Sequence, residues 1–165
     1  MRMLISGFAA MVNSAMQQGL SEFKRYTDKD TLRAAVASAT LTGWADGSFD
    51  PNEKRKAMTV LTKHPAMAHF KMADITTTWG ELDGVYMIDP TMGDDQALQW
   101  INAARAKPEP VRRVIGMIGC AVAGADDNFD ANEVNKVKAT CIALGLAPST
   151  VAPLVTAAGK HGIAL

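Results

Sequence analysis

The sequence has little of what most enzymes and nucleic-acid binders use. Cysteine occurs twice and histidine three times among 165 residues, and aromatic residues make up 6%. Cys120 and Cys141 are not a Cys-x-x-Cys pair and both fall in apolar helical patterns, so they read as reduced core thiols. His64 and His69 do not share a helix face, and no His-Glu-x-x-His pattern occurs, so zinc-protease chemistry is unsupported. Seventeen basic residues balance seventeen acidic ones, so no charge excess points to nucleic acid. No apolar run is long enough to span a bilayer. Met3 to Val12 could pass for a short signal core, yet Asn13-Ser14-Ala15 is a poor cleavage site, and no signal peptide is expected.

What is abundant is alanine and methionine within a hydrophobic fraction of 48%, which favours helices over strands. The expected fold is all-α, a compact bundle of about seven or eight helices with an internal pseudo-twofold repeat, all in one domain over 1–165. Its parts are an N-terminal helix over 3–23, a repeat half over 28–90, a second over 91–150, and a closing helix and tail over 148–165.

Apolar positions at Leu4, Phe8, Met11, Leu20 and Phe23 have helical spacing. The first helix is read as packing on the body of the protein; a membrane-surface role would call for basic residues along its polar face, and they cluster only at Lys24 and Arg25. Asp28 to Asp30 cap a helix over about 31–44, with a small-residue middle that allows close helix approach. Further helices are expected near 66–71, from Asp74 to about Met87, and from about Asp94 to Ala106, with Asp89-Pro90 breaking the chain. Trp79, Tyr86 and Trp100 read as core aromatics. Another small-residue helix follows Lys107-Pro108-Glu109-Pro110. Val137, Cys141, Ile142 and Leu144 supply a core face to the helix after it, which ends at Gly145.

The most informative feature is a stretch written twice. Ala45-Asp46-Gly47-Ser48-Phe49-Asp50-Pro51-Asn52-Glu53 returns 80 residues later as Ala125-Asp126-Asp127-Asn128-Phe129-Asp130-Ala131-Asn132-Glu133, identical at six of nine positions. Each copy follows a small-residue helix and opens another. Asp50 and Glu53 make a capping box with Pro51 at the first helical position, and Asp130 and Glu133 repeat it. Phe129 and Val134 form a hydrophobic staple; the first copy has Lys54 there instead.

Three readings of the twin turns compete. Capping accounts for Asp50, Glu53, Asp130 and Glu133, because carboxylates are favoured at helix N-termini. It leaves out Asp46 and Asp126, which follow helix C-termini and ask for a cationic compensator. A calcium loop of EF-hand type fails in both copies: it needs Gly at position 6 and Glu at position 12, and the chain has Pro51 and Ala57, then Ala131 and Val137. The third reading brings Asp46, Glu53, Asp126 and Glu133 together around a pseudo-twofold axis. Crowded carboxylates repel and raise one another's pKa, and a divalent cation relieves them. All-oxygen ligands favour a hard ion such as calcium, magnesium or manganese. Asp50 and Asp130 are the second choices as ligands.

The small-residue helix after Lys24-Arg25-Tyr26, the two Ala-Asp-x-x-Phe-Asp-x-x-Glu turns and the closing Leu144-Gly145-Leu146 resemble the TerB tellurite-resistance family over roughly 3–155. The resemblance implies an all-helical fold with an acidic face that binds divalent metal, usually calcium, on residues falling here at Asp46 with Glu53 and Asp126 with Glu133. It implies a cytoplasmic protein, at the inner membrane face through its partners, acting with TerC-like membrane proteins and TerD-like calcium-binding proteins in resistance to tellurite, phage and colicins. The expected function is a non-catalytic metal-binding interaction module. A metal-free helical adaptor and a metal-dependent hydrolase are the alternatives; the hydrolase lacks a nucleophile paired with His, a phosphate-cradling Gly loop and an electrophilic Arg tied to the motif.

Overall fold

The computed structural model describes residues 17–124 and 130–147. Those residues form α-helices and short 3₁₀ turns, with no strand among them. A helix over 17–23 (α1) is followed by α2 (Lys29–Gly43), α3 (Pro51–Lys63), α4 (Met72–Ile88), α5 (Pro90–Ala103), α6 (Glu109–Ala123) and α7 (Ala131–Ala143). Single 3₁₀ turns follow α3 (Pro65–Met67) and α5 (Ala104–Ala106).

The offset of the acidic turns extends to the helices around them. α2 and α6 have matching limits 80 residues apart (29 to 109, 43 to 123), as do α3 and α7 (51 to 131, 63 to 143). The expected closing helix after Pro148, the staple at Phe129 and the first part of the N-terminal helix fall outside the described residues. The described part of that helix packs on the body: Phe23 is fully buried, edge-on to His69 and Phe70, and Gly19 lies against Val114 and Pro110 of α6.

α2 is the axis of the bundle. Every residue from Thr31 to Thr42 except Arg33 is buried, and α2 packs against each of α3 to α7. A helix covered all round needs small side chains and satisfied hydroxyls. Thr40 Oγ1 donates to Val36 O and Thr42 Oγ1 to Ser38 O. Ser38 Oγ crosses to α6 and donates to Ile115 O at 2.8 Å. That approach depends on Gly119, where a Cβ would come within 2.7 Å of Ser38 Oγ and 3.3 Å of the Ser38 carbonyl.

The helix starts follow local chemistry. Asp28 caps α2 by accepting from Thr31 N, Asp50 and Glu53 form the complete reciprocal box on α3, and Asp130 accepts from Glu133 N on α7. Gly145, at φ +70°, ends α7 as expected. Three expectations need correction. Asp89-Pro90 separates α4 from α5 as expected, but the next helix does not wait for Asp94: Asp89 accepts from Thr91 N and α5 begins at once at Pro90, four residues earlier. The helix foreseen near 66–71 is only the 3₁₀ turn Pro65–Met67. Ile142 is 71% exposed and does not belong to the core face of α7, unlike Val137 and Cys141.

Of the three aromatics expected in the core, Trp79 and Tyr86 are buried and Trp100 only partly so. Tyr86 stacks on Trp44 at 5.0 Å between ring centres and lies over Gly93 of α5. Its hydroxyl donates to Asp94 at 2.8 Å, and Lys136 of α7 reaches the other Asp94 oxygen at 2.7 Å. Burial and the Asp94 carboxylate both push the Tyr86 phenol well up from its ordinary pKa. His64 is a structural residue: Nδ1 accepts from Ala66 N, and burial lowers its pKa to about 4. His69 Nε2 lies 3.0 Å from Tyr26 O.

Candidate metal centre

The first acidic turn is held from inside. α2 ends at Gly43, and Trp44 returns its N–H to Thr40 O. Gly47 takes φ +76°, a left-handed backbone that suits glycine, and donates to Trp44 O at 2.9 Å. Phe49 then folds back into the core, with its ring over Gly43, edge-on to Trp44 and 6.0 Å from Trp79. With Phe49 inside, Asp46 and Asp50 remain on the surface. Lys54 replaces a staple: its ammonium pairs with Asp83 at 2.9 Å and lies 5.3 Å from the Trp44 ring centre, tying the start of α3 to α4.

Asp46 lies three residues beyond the last residue of α2, past the last turn where the helix dipole acts strongly. Its contact in the fold is neutral. Asn132 Nδ2, from the first turn of α7, donates to Asp46 Oδ1 at 2.9 Å. This bond joins the two copies of the acidic stretch. The identity of Asn132 with Asn52 across the repeat is the one trace of this contact in the sequence.

A small cleft of about 60 Å³ opens beside this bond. Thr42, Gly43, Ala45, Asp46, Phe49, Glu53, Lys56 and Ala57 line it from the first half, and Val122 and Glu133 from the second. Three of the four principal candidate ligands, Asp46, Glu53 and Glu133, therefore share one cleft drawn from both halves. Asp126 lies outside the described residues. Asp50 and Asp130 do not line the cleft with the described residues there; both serve as caps, accepting from Glu53 N at 2.8 Å and Glu133 N at 2.9 Å.

The cleft has room for a cation, since one water-sized sphere needs only about 10–15 Å³ of such volume. Its acidic donors are all carboxylate oxygens, suited to a hard ion. Asp46 and Glu53 each give an oxygen to an internal bond, to Asn132 Nδ2 and to Asp50 N at 3.0 Å, but a carboxylate offers about four lone-pair sites. In the described arrangement the fit is incomplete: among the described residues no three His, Cys, Asp or Glu side chains are gathered closely enough to hold a metal ion. Lys56 lines the same cleft, and both Lys56 and Glu133 have interaction partners in the fold.

A family model described as tellurite resistance protein TerB matches residues 32–154. The chain belongs to the TerB family. The match runs from the first turn of α2 across both acidic turns and all of α3 to α7, so the central helix, the Asp46–Asn132 bond and the cleft are parts of the TerB domain. The chain thus carries a domain associated with tellurite resistance. No curated protein and no solved structure gives a match.

Other charged and thiol groups have structural places. Arg113 pairs with Glu109 one turn away at 2.9 Å, and Arg33 lies near Glu81 and over the Trp100 ring. Arg112 donates to the carbonyls of Lys107, Leu144 and Gly145, closing the end of α7. Cys120 and Cys141 are free and buried; burial raises both thiols, that of Cys141 to about 11. No helix among the described residues is long and apolar enough to cross a membrane.

Proposed function

We propose that this TerB chain is a non-catalytic, divalent-metal-binding interaction module acting in tellurite and envelope-stress resistance, including resistance to phage and colicins. Asp46 and Glu53 from one half and Asp126 and Glu133 from the other are its ligands, with Asp50 and Asp130 as supporting carboxylates. Calcium is the favoured ion, because flexible all-oxygen sites on exposed turns suit its loose coordination better than the strict octahedron of magnesium. The observation that carries this reading is the convergence of Asp46, Glu53 and Glu133 on one cleft bridging both halves. A bound ion there would fix the two turns against each other and so shape a face for partners. TerC-like membrane proteins and TerD-like proteins are the partners in this reading, met at the cytoplasmic side of the membrane; nucleic acid is not among them.

An enzymatic role has less behind it. TerB is a non-catalytic domain family, and the one hydroxyl among the described cleft residues, Thr42 Oγ1, is buried and donates to Ser38 O. A metal-free adaptor is the second reading, favoured by the Asn132 carboxamide that already satisfies an Asp46 oxygen. Melting in chelator and in calcium separates the two. A ligand that binds only the folded state stabilises it by mass action, about 2.7 kcal/mol at a hundredfold excess over Kd. The module reading expects a calcium-dependent rise in melting temperature, and identical curves support the adaptor.

A further inference from the structure

α4 turns an uncharged face to water. It packs on α2 and α5 and buries Ile75, Trp79, Leu82 and Tyr86. The helical repeat sets Ala73, Thr76, Thr77, Gly80, Gly84 and Met87 along the opposite side, and all six are exposed. Gly80 and Gly84, one turn apart, are the unusual pair. Glycine inside an exposed helix weakens it relative to alanine, and this fold has no steric need of either one. A Cβ at either position meets nothing within 4 Å among the described residues, whereas one at Gly93 or Gly119 runs into a neighbour. Large apolar side chains stand in water at the end of the same helix: Met87 is 65% exposed and Ile88 77%, with Met92 of α5 at 51%. Exposed apolar groups gathered in this way mark interaction surfaces.

The surroundings are acidic. From 72 to 103 the chain has six acidic residues and no Lys, Arg or His. Lys54 and Lys136 engage Asp83 and Asp94 from other helices, while Asp74, Glu81 and Asp89 remain exposed. Asp74 and Glu81 stand on one edge of the glycine face, two turns or about 10 Å apart.

We propose that this face of α4 docks a helix of a partner protein, one with a small, apolar contact stripe and a flank carrying Lys or Arg at seven-residue spacing. The glycines let the two backbones approach closely, Met87 and Ile88 are covered at one end, and the basic flank meets Asp74 and Glu81. Charge decides among the occupants: a second copy would bring acidic edges together, and an anionic lipid surface would meet like charge. The inference goes beyond the cation cleft and does not depend on a metal.

The test is fluorescence anisotropy in chelator with a labelled helical peptide that has an Ala and Leu stripe and Lys on one flank at seven-residue spacing. The same peptide with Glu in place of Lys is the control. Both are titrated with the full-length wild type, Gly80→Gln/Gly84→Gln and Asp74→Asn/Glu81→Gln. Glutamine is a better helix former than glycine, so the glycine variant is expected to melt above the wild type yet bind the Lys peptide at least about tenfold more weakly. A purely structural role for the glycines would not move stability and binding in opposite directions. Asp74→Asn/Glu81→Gln is expected to lose about fivefold, the sum of two surface ion pairs, and the Glu peptide to bind at least about tenfold more weakly than the Lys peptide. Undiminished Lys-peptide binding by either variant, equal binding of the two peptides, or no binding by the wild type overturns the docking. So does a wild-type dimer in sedimentation, or wild-type binding to phosphatidylglycerol vesicles, that the glycine variant loses, because the face then belongs to a second copy or to a membrane. With chelator present throughout, each of these outcomes leaves the cation reading to its own test.

Discussion

Asn132 Nδ2 donates to Asp46 Oδ1 at 2.9 Å across 86 positions of sequence, so the second copy of the acidic stretch holds the first. The bond lies on the surface, where water competes. Asn132→Ala is expected to cost roughly 0.5–1 kcal/mol, below the roughly 1.5–3 kcal/mol of a hydrogen bond to a charged group because solvent competes for both partners. Urea unfolding of the two proteins checks it, with the slope unchanged and only the midpoint moved.

Asp50 separates capping from ligation. Asn caps a helix about as well as Asp, so Asp50→Asn keeps the bond to Glu53 N and removes only the charge. Stability is expected to remain within about 0.5 kcal/mol of wild type, while Asp50→Ala loses about 1 kcal/mol. Calcium affinity that falls more than a few-fold in Asp50→Asn would promote Asp50 from cap to principal ligand.

The close approach of α2 and α6 makes Gly119 sensitive. A methyl there meets both Ser38 Oγ and the Ser38 carbonyl, and backbone cannot step aside as a side-chain tip can. Gly119→Ala is expected to destabilise by about 1–3 kcal/mol, the range for overpacking. Gly116→Ala, whose new methyl meets Cys141 Sγ at 3.3 Å, is expected to cost less. Denaturant midpoints rank them.

His64 gives a pH dependence with a definite sign. Burial lowers its folded pKa to about 4 from 6.5, so between those values the unfolded chain binds more protons. Its contribution is fully present above about pH 6.5 and is lost as pH falls toward about 4, at no more than about 1.4 kcal/mol per pH unit. Carboxylates titrate below about pH 5, so the informative window is about 5 to 6.5. His64→Asn retains an acceptor for Ala66 N and is expected to flatten the stability profile in that window; an unchanged slope contradicts the assignment.

What the sequence made legible is what local chemistry decides. Asp28, Asp50 and Asp130 cap where their neighbours predicted, and Gly145 ends α7. The dipeptide Asp-Pro shows the limit. At Asp50-Pro51 the Glu three residues on completes a box and reveals a start, whereas Asp89-Pro90 has Met92 at that place and reads as a break, though Asp89 caps just the same. Contacts between distant elements left no local trace. Asn132 on Asp46, Lys54 on Asp83 and Lys136 on Asp94 depend on how the bundle closes. The same holds for Ile142: helical spacing placed it near the core face, but α7 meets the bundle along Val137 and Cys141, and Ile142 falls outside that seam.

The proposed divalent-cation site is written in two halves of the chain, and isothermal calorimetry of calcium binding to the wild type and to the Asp46→Ala/Asp126→Ala variant decides whether it is one site. Saturable binding by the wild type and at least about a tenfold loss in the variant are expected, a difference of about 1.4 kcal/mol or more. Binding of equal strength in both proteins, or none by the wild type, contradicts it.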